Sequence, residues 1–233
     1  MRLYENEAKA VFAREGIPVP RSAGVFGRAG DVAGKVGPAE AVVVKALVLI
    51  GGRGKAGGVK RAAGGAEAAA RAAEILGSRV RGYAVERVLV EEAVAGALGS
   101  CYLGVTMSPA DYNVTVIASP AGGIDIEQVA REAPDKILRV ELAGNEAALP
   151  EAEAERLAAF LAAGVPGAAG QVPALKDVVS RLYALFQKHD CKVAEINPLL
   201  LAPGGPVAAD ATIVLDDNGL FRQGGWLRLL GLD

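Results

Sequence analysis

The chain has 233 residues, of which 52% are hydrophobic and 22% charged, a balance typical of a folded globular protein and not of a disordered one. Its formal net charge of −2 argues against nucleic acid or an anionic membrane as a partner. No apolar run approaches the ~18 residues of a membrane helix, and the opening segment MRLYENEAKAVF lacks the apolar core of a signal peptide. The two cysteines, Cys101 and Cys191, lie far apart, so we expect neither a disulfide framework nor a zinc site, and a cytoplasmic protein.

Helical and strand-like segments alternate irregularly along the chain. Segments with apolar residues at helical spacing predict helices at 4–15, 66–76, 126–132, 151–163 and 173–189. Runs rich in Val, Ile and other strand-forming residues predict strands at 41–50, 59–61, 87–90, 102–107, 114–119, 193–196 and 207–215. The predicted strands occur in hairpin pairs, with helices between the groups. This order predicts an α+β fold and not a succession of βαβ units.

The segment 51–58, GGRGKAGG, is too rich in glycine for a helix or a stable strand. It contains the string G-x-G-x-x-G, but a strand follows it, whereas a dinucleotide site needs a helix there. A Walker A loop is excluded because Lys55 is followed by Ala56 and not by Ser or Thr. Two interpretations remain: a hairpin whose backbone amides, with Arg53 and Lys55, bind phosphates, or a plain hairpin tip.

Lys45 interrupts the apolar strand that leads into this glycine segment. A lysine in a buried strand is unfavourable unless a partner compensates its charge, and a bound phosphate is such a partner. The alternative is an edge position from which the Lys45 side chain reaches water.

Polar side chains recur near the end of the chain. Glu195 and Asn197 are two residues apart, which places them on one face of a strand. Asp210 follows a Pro-Gly-Gly-Pro turn and is expected inside the next strand, beside the first. An amide oxygen and a carboxylate are ligands that Mg²⁺ accepts together with water and phosphate oxygens. The alternative is a polar strand end at which Asn197 and Pro198 form a turn.

His189 is the only histidine and ends a predicted helix, where the helix dipole favours it. We expect a structural role, and no Ser–His or Cys–His nucleophile is therefore predicted.

Together these segments resemble the ATP-grasp half of the succinyl-CoA synthetase beta subunit family, from residue 1 to about residue 223. The motifs that carry the resemblance, in the family's order, are MRLYENEAKAVFAREGIPVP, KALVLIGGRGKAGGVK, VLVEEAV, YLGV, ASPAGGIDIEQVA, AEINPLL and DDNGLFRQ. The resemblance implies an α+β ATP-grasp fold, with two α+β lobes and the nucleotide between them. Residues 21–96 would form an inserted lobe with the phosphate hairpin, and residues 1–20 and 97–233 a second lobe with the metal site.

The resemblance also implies roles for the matching residues. The implied nucleotide-binding residues are Lys45, Gly52, Arg53, Gly54, Glu91 and Val94, with Glu91 and Val94 on the adenine and ribose side. Asn197 and Asp210 would bind Mg²⁺, and Glu195 would be catalytic, facing a phosphohistidine. The implied cofactors are Mg²⁺ and ATP or GTP. The implied partners are an alpha-type subunit with the phosphohistidine and the CoA site, and a chain or domain that supplies the second beta domain.

The sequence departs from the family at three places. Segment 95–101 lacks an acidic residue that would contact the nucleotide, Leu47 replaces a frequent glutamine, and Thr212 replaces a frequent lysine. We predict the nucleotide-binding subunit of an ADP- or GDP-forming acid–CoA ligase, active in a complex, which passes phosphate between ATP and a phosphohistidine on its partner. Two alternatives stay open: a non-catalytic assembly subunit that keeps the fold, and an ATP-grasp ligase that joins a carboxylate to an amine.

Overall fold

The computed structural model describes residues 1–108, 110, 112–143 and 146–225. The chain divides into two compact units. The large unit comprises Met1–Val19 and Gly96–Asp233, and the small unit comprises Pro20–Ala95. The family resemblance assigns the phosphate hairpin to a lobe of residues 21–96 and the metal site to a lobe of residues 1–20 and 97–233. Both assignments remain predictions.

Helices and strands both contribute to the described residues. The α-helices are α1 (Glu5–Arg14), α2 (Gly65–Ile75), α3 (Ile126–Glu132), α4 (Glu151–Ala163) and α5 (Val172–Lys188). The strands are β1 (Ser22–Phe26), β2 (Ala41–Ala46), β3 (Val59–Ala63), β4 (Arg79–Val80), β5 (Tyr83–Ala84), β6 (Val88–Glu92), β7 (Gly99–Met107), β8 (Val114–Ser119), β9 (Leu138–Leu142), β10 (Cys191–Ala202), β11 (Gly205–Ala208) and β12 (Thr212–Leu215). This composition confirms the predicted α+β class. None of the described helices combines the length and the apolar character needed to cross a bilayer.

The small unit contains an antiparallel sheet with the strand order β1-β6-β2-β3, and α2 packs on one face of it. Side chains alternate along β2, so that Val42 and Val44 join the apolar core with Ala68 and Ala72 of α2. By the same alternation Lys45 points to the opposite face. Because β2 has a partner strand on each side, the alternative that placed Lys45 on an edge strand is wrong.

β2 ends at Ala46, before the predicted end of the strand at Ile50. Leu47 donates its amide to the carbonyl of Arg87, after which the chain leaves the sheet. Leu47 and Val48 are nevertheless only 4% and 8% exposed. The apolar sequence therefore extends beyond β2 because Leu47 and Val48 have buried side chains, although they are no longer part of the strand.

β1 has no counterpart among the predicted elements. Gly24 has a φ of 135° and lies at a shift in the register between β1 and β6. A glycine inside a strand removes a side chain and marks an irregularity, which hides the strand from pattern analysis.

The large unit contains an antiparallel sheet in the order β11-β10-β7-β8-β9, and β12 also pairs with β10. Helices α4 and α5 pack together and contribute Leu157, Leu161 and Leu182 to a core that includes Ile196 of β10. The predicted ends of α3 and α4 agree with the structure. β10 lies between other strands over most of its length, so it is a rigid support for the polar residues that it carries.

The predicted strand at 207–215 is interrupted between β11 and β12, and Asp210 lies in this bend. The expectation that Asp210 lies inside a strand is wrong. The amide of Ala209 donates to the carbonyl of Pro198 at 3.1 Å, which continues the β10–β11 register by one residue before the bend. The expectation that the two strands are neighbours is correct, since β11 and β12 both pair with β10.

Candidate functional site

A buried ion pair lies on the sheet of the small unit. Lys45 Nζ is 2.8 Å from Glu91 Oε2, and the two side chains are 9% and 2% exposed. Lys45 is opposite Leu89 in the β2–β6 ladder, and Glu91 follows two residues later on the same face, so the contact is diagonal between neighbouring strands. Sequence analysis expected phosphate to compensate the Lys45 charge, whereas the structure shows that a carboxylate already does so. The role of Glu91 beside adenine and ribose remains a prediction.

The glycine segment 51–58 connects β2 to β3, which pair in antiparallel fashion, so it is the tip of a long hairpin. Gly52 and Gly57 have φ values of 72° and 76°, in the left-handed region that other residues rarely adopt. Gly51 and Gly54 have open space where a side chain would begin. The loop therefore presents backbone with little side-chain cover, which suits close contact with an anion.

Three cationic side chains lie in or next to this loop. The Arg53 side chain is buried, and its Nη1 donates to the carbonyl of Ala46 at 3.2 Å, which closes the base of the loop. Arg81 Nη1 donates to the carbonyl of Gly51 at 3.1 Å from the connection between β4 and β5. Lys55 is exposed at the tip. Sequence reasoning identified Arg53 and Lys55 but not Arg81, because Arg81 reaches the loop only through the folded chain.

Val94 follows β6 and is half-buried. The next residues, 95–98, are exposed and read Ala-Gly-Ala-Leu, so this stretch has no polar side chain. In the whole segment 95–101, where the resemblance leads us to expect an acidic residue, Ser100 has a polar side chain, and its hydroxyl donates to the carbonyl of Gly122 at 3.2 Å.

Glu195 lies on β10 beside a buried tyrosine of β7. Tyr102 Oη donates to Glu195 Oε2 at 3.0 Å. Gly104 is paired with Glu195, and a Cβ atom at Gly104 would lie 2.5 Å from Tyr102 Oη, so the absence of a side chain there makes room for the phenol. Burial raises the pKa of Glu195 above its usual value, while the hydrogen bond from Tyr102 opposes the rise. Burial, chiefly, also raises the pKa of Tyr102.

Two other carboxylates and one arginine affect the pKa of Glu195. After burial, the charges of Asp210 and Glu127 also raise the pKa of Glu195, whereas Arg2 lowers it. Glu127 is in the first turn of α3, and its own pKa is raised, first by its hydrogen bond with Asp125. A nearby cation would favour the charged form of Glu195, whose pKa these neighbouring carboxylates raise. Sequence reasoning missed Glu127 and Tyr102, although both lie within motifs that it identified.

Asn197 is tied to the loop that follows β8. Its Oδ1 accepts the amide of Gly123 at 2.7 Å, and its Nδ2 donates to the carbonyl of Ile124 at 3.0 Å. The Asn197–Pro198 peptide is cis, and the pairing of β10 with β7 shifts register here, but β10 continues to Ala202. The alternative that ended the strand in a turn at this point is therefore wrong. An amide oxygen has two lone pairs, so Oδ1 keeps one for a further ligand.

The donor types of Asn197 and Asp210 suit a magnesium ion. Asp210 and Asn197 offer a carboxylate and an amide oxygen, and Glu195 adds negative charge. In the part of the chain that the structure describes, no group of three or more His, Cys, Asp and Glu side chains could hold a metal. Mg²⁺ commonly takes one or two protein oxygens and completes its shell with water and substrate phosphates, so this donor set is sufficient.

His189 is buried, and both of its ring nitrogens have neighbours. Nε2 lies 2.9 Å from Glu15 Oε1, and Nδ1 lies 3.1 Å from Gln223 Oε1. The ring thus connects the ends of α1 and α5 to the segment after β12. This position agrees with the structural role expected for it.

Comparison with known proteins identifies the family. A family model described as "ATP-grasp domain" matches residues 2–201. The chain belongs to the ATP-grasp domain family. The ATP-grasp chain is 42% identical over 226 residues to the ADP-forming succinate–CoA ligase subunit beta of Halobacterium salinarum, which covers 96% of this chain and 57% of that protein. It is 40% identical over 226 residues to the GDP-forming subunit beta of Thermus thermophilus, again over 96% of this chain and 57% of that protein. These findings confirm the resemblance, and the chain spans little more than half the length of these curated relatives.

Solved structures share the fold of this ATP-grasp chain. An acetyl-coenzyme A synthetase of Ca. Korarchaeum cryptofilum, in complex with coenzyme A and Ca-AMPCP, has a TM-score of 0.71 at 23% identity, covering 92% of this chain and 93% of that one. An ATP citrate lyase of Methanothrix soehngenii, in complex with citrate and coenzyme A, has a TM-score of 0.69 at 18% identity, covering 97% of this chain and 54% of that one. They confirm the predicted ATP-grasp fold.

Gly104→Ala should disturb the Tyr102–Glu195 contact of the ATP-grasp chain. The new methyl group would occupy the space of the phenol, because it would lie 2.5 Å from Tyr102 Oη. Overpacking of this kind costs about 1–3 kcal/mol of unfolding free energy, and thermal unfolding measures it. Gly170→Ala is a matched control in the same unit, since nothing lies within 4 Å of its Cβ position, and should change stability by less than about 0.5 kcal/mol. Equal stability of the two variants would contradict the packing described for Tyr102.

Proposed function

We propose that this chain is the nucleotide-binding subunit of an acid–CoA ligase that forms ADP or GDP, acting in a complex with a partner that carries a phosphohistidine and a CoA site. The observation that supports this most is the glycine loop 51–58, in which Gly52 and Gly57 have positive φ values and Gly51 and Gly54 leave the backbone uncovered. Backbone exposed in this way suits contact with the phosphate groups of a nucleotide. Relatives named as ADP- and GDP-forming succinate–CoA ligases supply the reaction class.

In this proposal the small unit binds phosphates. Phosphoryl transfer requires positioning and compensation of charge more than covalent chemistry from the protein. Gly52 and Gly54 would let the loop backbone donate to phosphate oxygens, and Arg53 would hold the base of the loop in place. Lys45 would share its ammonium between Glu91 and a phosphate, so Glu91 would orient Lys45 in addition to any contact of its own.

The large unit would hold the metal and face the partner. Asp210 and Asn197 would bind Mg²⁺, which neutralises negative charge on the phosphates when bound. Tyr102 fixes one oxygen of Glu195, which leaves the other available to accept the N–H of a partner imidazole and orient it. This is the positioning role that we propose for Glu195.

The phosphoryl carrier is proposed to belong to a partner chain. The single histidine of this sequence, His189, is buried, with a neighbour at each ring nitrogen. A buried imidazole engaged on both sides cannot move between a nucleotide and a second substrate. The relatives are named as beta subunits, which supports an alpha-type partner, and the rest of their length supports a further domain or chain. Succinate is the acid that the relatives' names favour.

A titration with ADP and GDP tests the proposal. We expect both nucleotides to bind in the presence of Mg²⁺, with affinities within about tenfold of each other, because about 1.4 kcal/mol corresponds to a factor of ten. The exposed stretch 95–98 has no polar side chain to read the base or the ribose. A single hydrogen bond to a charged group is worth about 1.5–3 kcal/mol, so its absence lowers selectivity. Calorimetry measures both affinities.

The titration also tests the first alternative, a non-catalytic assembly subunit. Absence of binding for both nucleotides, with and without Mg²⁺, would support a non-catalytic assembly subunit and contradict the proposed function. Strong selectivity for adenine would show that a group outside 95–98 recognises the base.

A further inference from the structure

Helix α1 carries a buried ion pair that the proposed function does not use. Lys9 Nζ lies 2.9 Å from Glu5 Oε1, one helical turn away, and the two side chains are 5% and 1% exposed. Lys and Glu are almost never so completely buried unless they are paired. Burial of a charge pair is weak evidence for stability, because apolar residues of similar volume often stabilise as well. We therefore expect the buried Lys9–Glu5 pair to have a role other than stabilising the fold.

The Lys9 ammonium also contacts the distant bend between β11 and β12. Its Nζ donates to the carbonyl of Ala209 at 2.8 Å. Ala209 is the residue immediately before Asp210, one of the two proposed metal ligands. The contact therefore reaches the peptide from which Asp210 extends.

The backbone of Ala209 also contacts the residue that follows Asn197, the second proposed metal ligand. The amide of Ala209 donates to the carbonyl of Pro198 at 3.1 Å, and Pro198 directly follows Asn197. The amide of Ala208 donates to the carbonyl of Pro18 at 2.8 Å, in the segment after α1. Both polar backbone groups of Ala209 are thus engaged, one by Lys9 and one by the neighbour of Asn197.

We propose that Lys9, held by Glu5, is a positioning residue that sets Asp210 relative to Asn197 for metal binding. The proposal rests on the proposed function, since it assumes that these two side chains bind the metal. A hydrogen bond to a backbone carbonyl fixes the direction of a peptide group, which an apolar side chain cannot do. Glu5 allows the ammonium to be buried at this place, because it supplies the compensating charge.

The test compares ADP titrations of the full 233-residue chain at saturating Mg²⁺ with titrations in the presence of a chelator. The variants are Lys9→Met, the double variant Glu5→Gln/Lys9→Met, which leaves no buried charge at the pair, and Asp210→Asn. Loss of a group that orients a metal ligand typically lowers metal affinity about 10–100-fold. We expect both Lys9 variants to weaken Mg²⁺-dependent ADP binding by about this factor, and to leave metal-free ADP binding unchanged.

Lys176→Met is the matched control. Lys176 forms an ion pair with Glu151 in the same unit, but the two side chains are 30% and 85% exposed. This control should bind Mg-ADP as the unchanged chain does.

The outcomes separate this inference from the proposed function. If Asp210→Asn binds Mg-ADP normally, the metal assignment itself is wrong. If Asp210→Asn weakens binding but the double variant does not, only the role of Lys9 is wrong. If the Lys9 variants lose ADP affinity equally with and without Mg²⁺, Lys9 has a purely structural role and does not position Asp210. The same conclusion follows if the double variant no longer unfolds cooperatively on heating.

Discussion

Lys45→Met is expected to lower the free energy of unfolding of the small unit by about 3–5 kcal/mol, because removal of one partner leaves a buried charge without compensation. The remaining charge would be Glu91, whose side chain is 2% exposed and 2.8 Å from Lys45 Nζ. Methionine keeps most of the volume of the lysine stem, so a cavity contributes little. Denaturant unfolding measures the loss, and ADP affinity of the variant should fall as well.

A double variant separates the structural role of Lys45 from its proposed role in phosphate binding. Replacing both partners by apolar residues, in Lys45→Met/Glu91→Leu, removes the uncompensated charge and is often neutral for stability. We expect stability to recover while ADP affinity stays low. Lys60→Met is the control within the same sheet: its ion pair with Glu74 is 33% and 42% exposed, and such pairs contribute about 0–1 kcal/mol. A double variant that binds ADP like the unchanged chain would restrict Lys45 to a structural role.

Asn197→Ala and Asp210→Asn should both weaken Mg²⁺-dependent nucleotide binding by tenfold or more, since each removes a proposed metal ligand and about 1.4 kcal/mol is a factor of ten. The two variants should differ in the rate of hydrogen exchange at the Gly123 amide. Only Asn197 accepts the amide of Gly123, at 2.7 Å. Losing one hydrogen bond worth about 1 kcal/mol should speed hydrogen exchange of that amide about fivefold in Asn197→Ala.

The exchange of Gly123 should be unchanged in Asp210→Asn. Asp177→Asn is the control for both measurements, because Asp177 lies on α5 in an exposed contact with Arg181. Mg²⁺-dependent affinity that survives in both ligand variants would contradict the metal assignment. Unchanged exchange of Gly123 in Asn197→Ala would contradict the contact that ties Asn197 to the loop after β8.

Local signals made several elements predictable. Helix α4 has an alanine-rich sequence after a proline, and helix α3 has Asp125 as its N-cap, whose side chain accepts the amide of Glu127. Both helices therefore have ends that the sequence itself defines. The α+β class followed from the same local patterns, whereas the ATP-grasp fold followed from the resemblance.

Contacts between distant residues were not predictable from these patterns. The burial of Lys45 indicated that a partner was needed, but strand register decides that the partner is Glu91. The segment 207–215 has a continuous strand-like composition, and the bend at Asp210 between β11 and β12 appears only in the folded chain. Tyr102 reaches Glu195 because Gly104 lacks a side chain, which only the folded sheet reveals.

The most direct test of the central claim is a crystal structure of the chain grown with ADP and Mn²⁺, with anomalous diffraction data to locate the metal. Mn²⁺ favours the same oxygen ligands as Mg²⁺ and gives a distinct anomalous signal. The account predicts a metal peak within coordination distance of the Asp210 carboxylate and the Asn197 amide oxygen, and no such peak in crystals without nucleotide. A metal peak distant from both residues, or ADP bound without any metal, would contradict it.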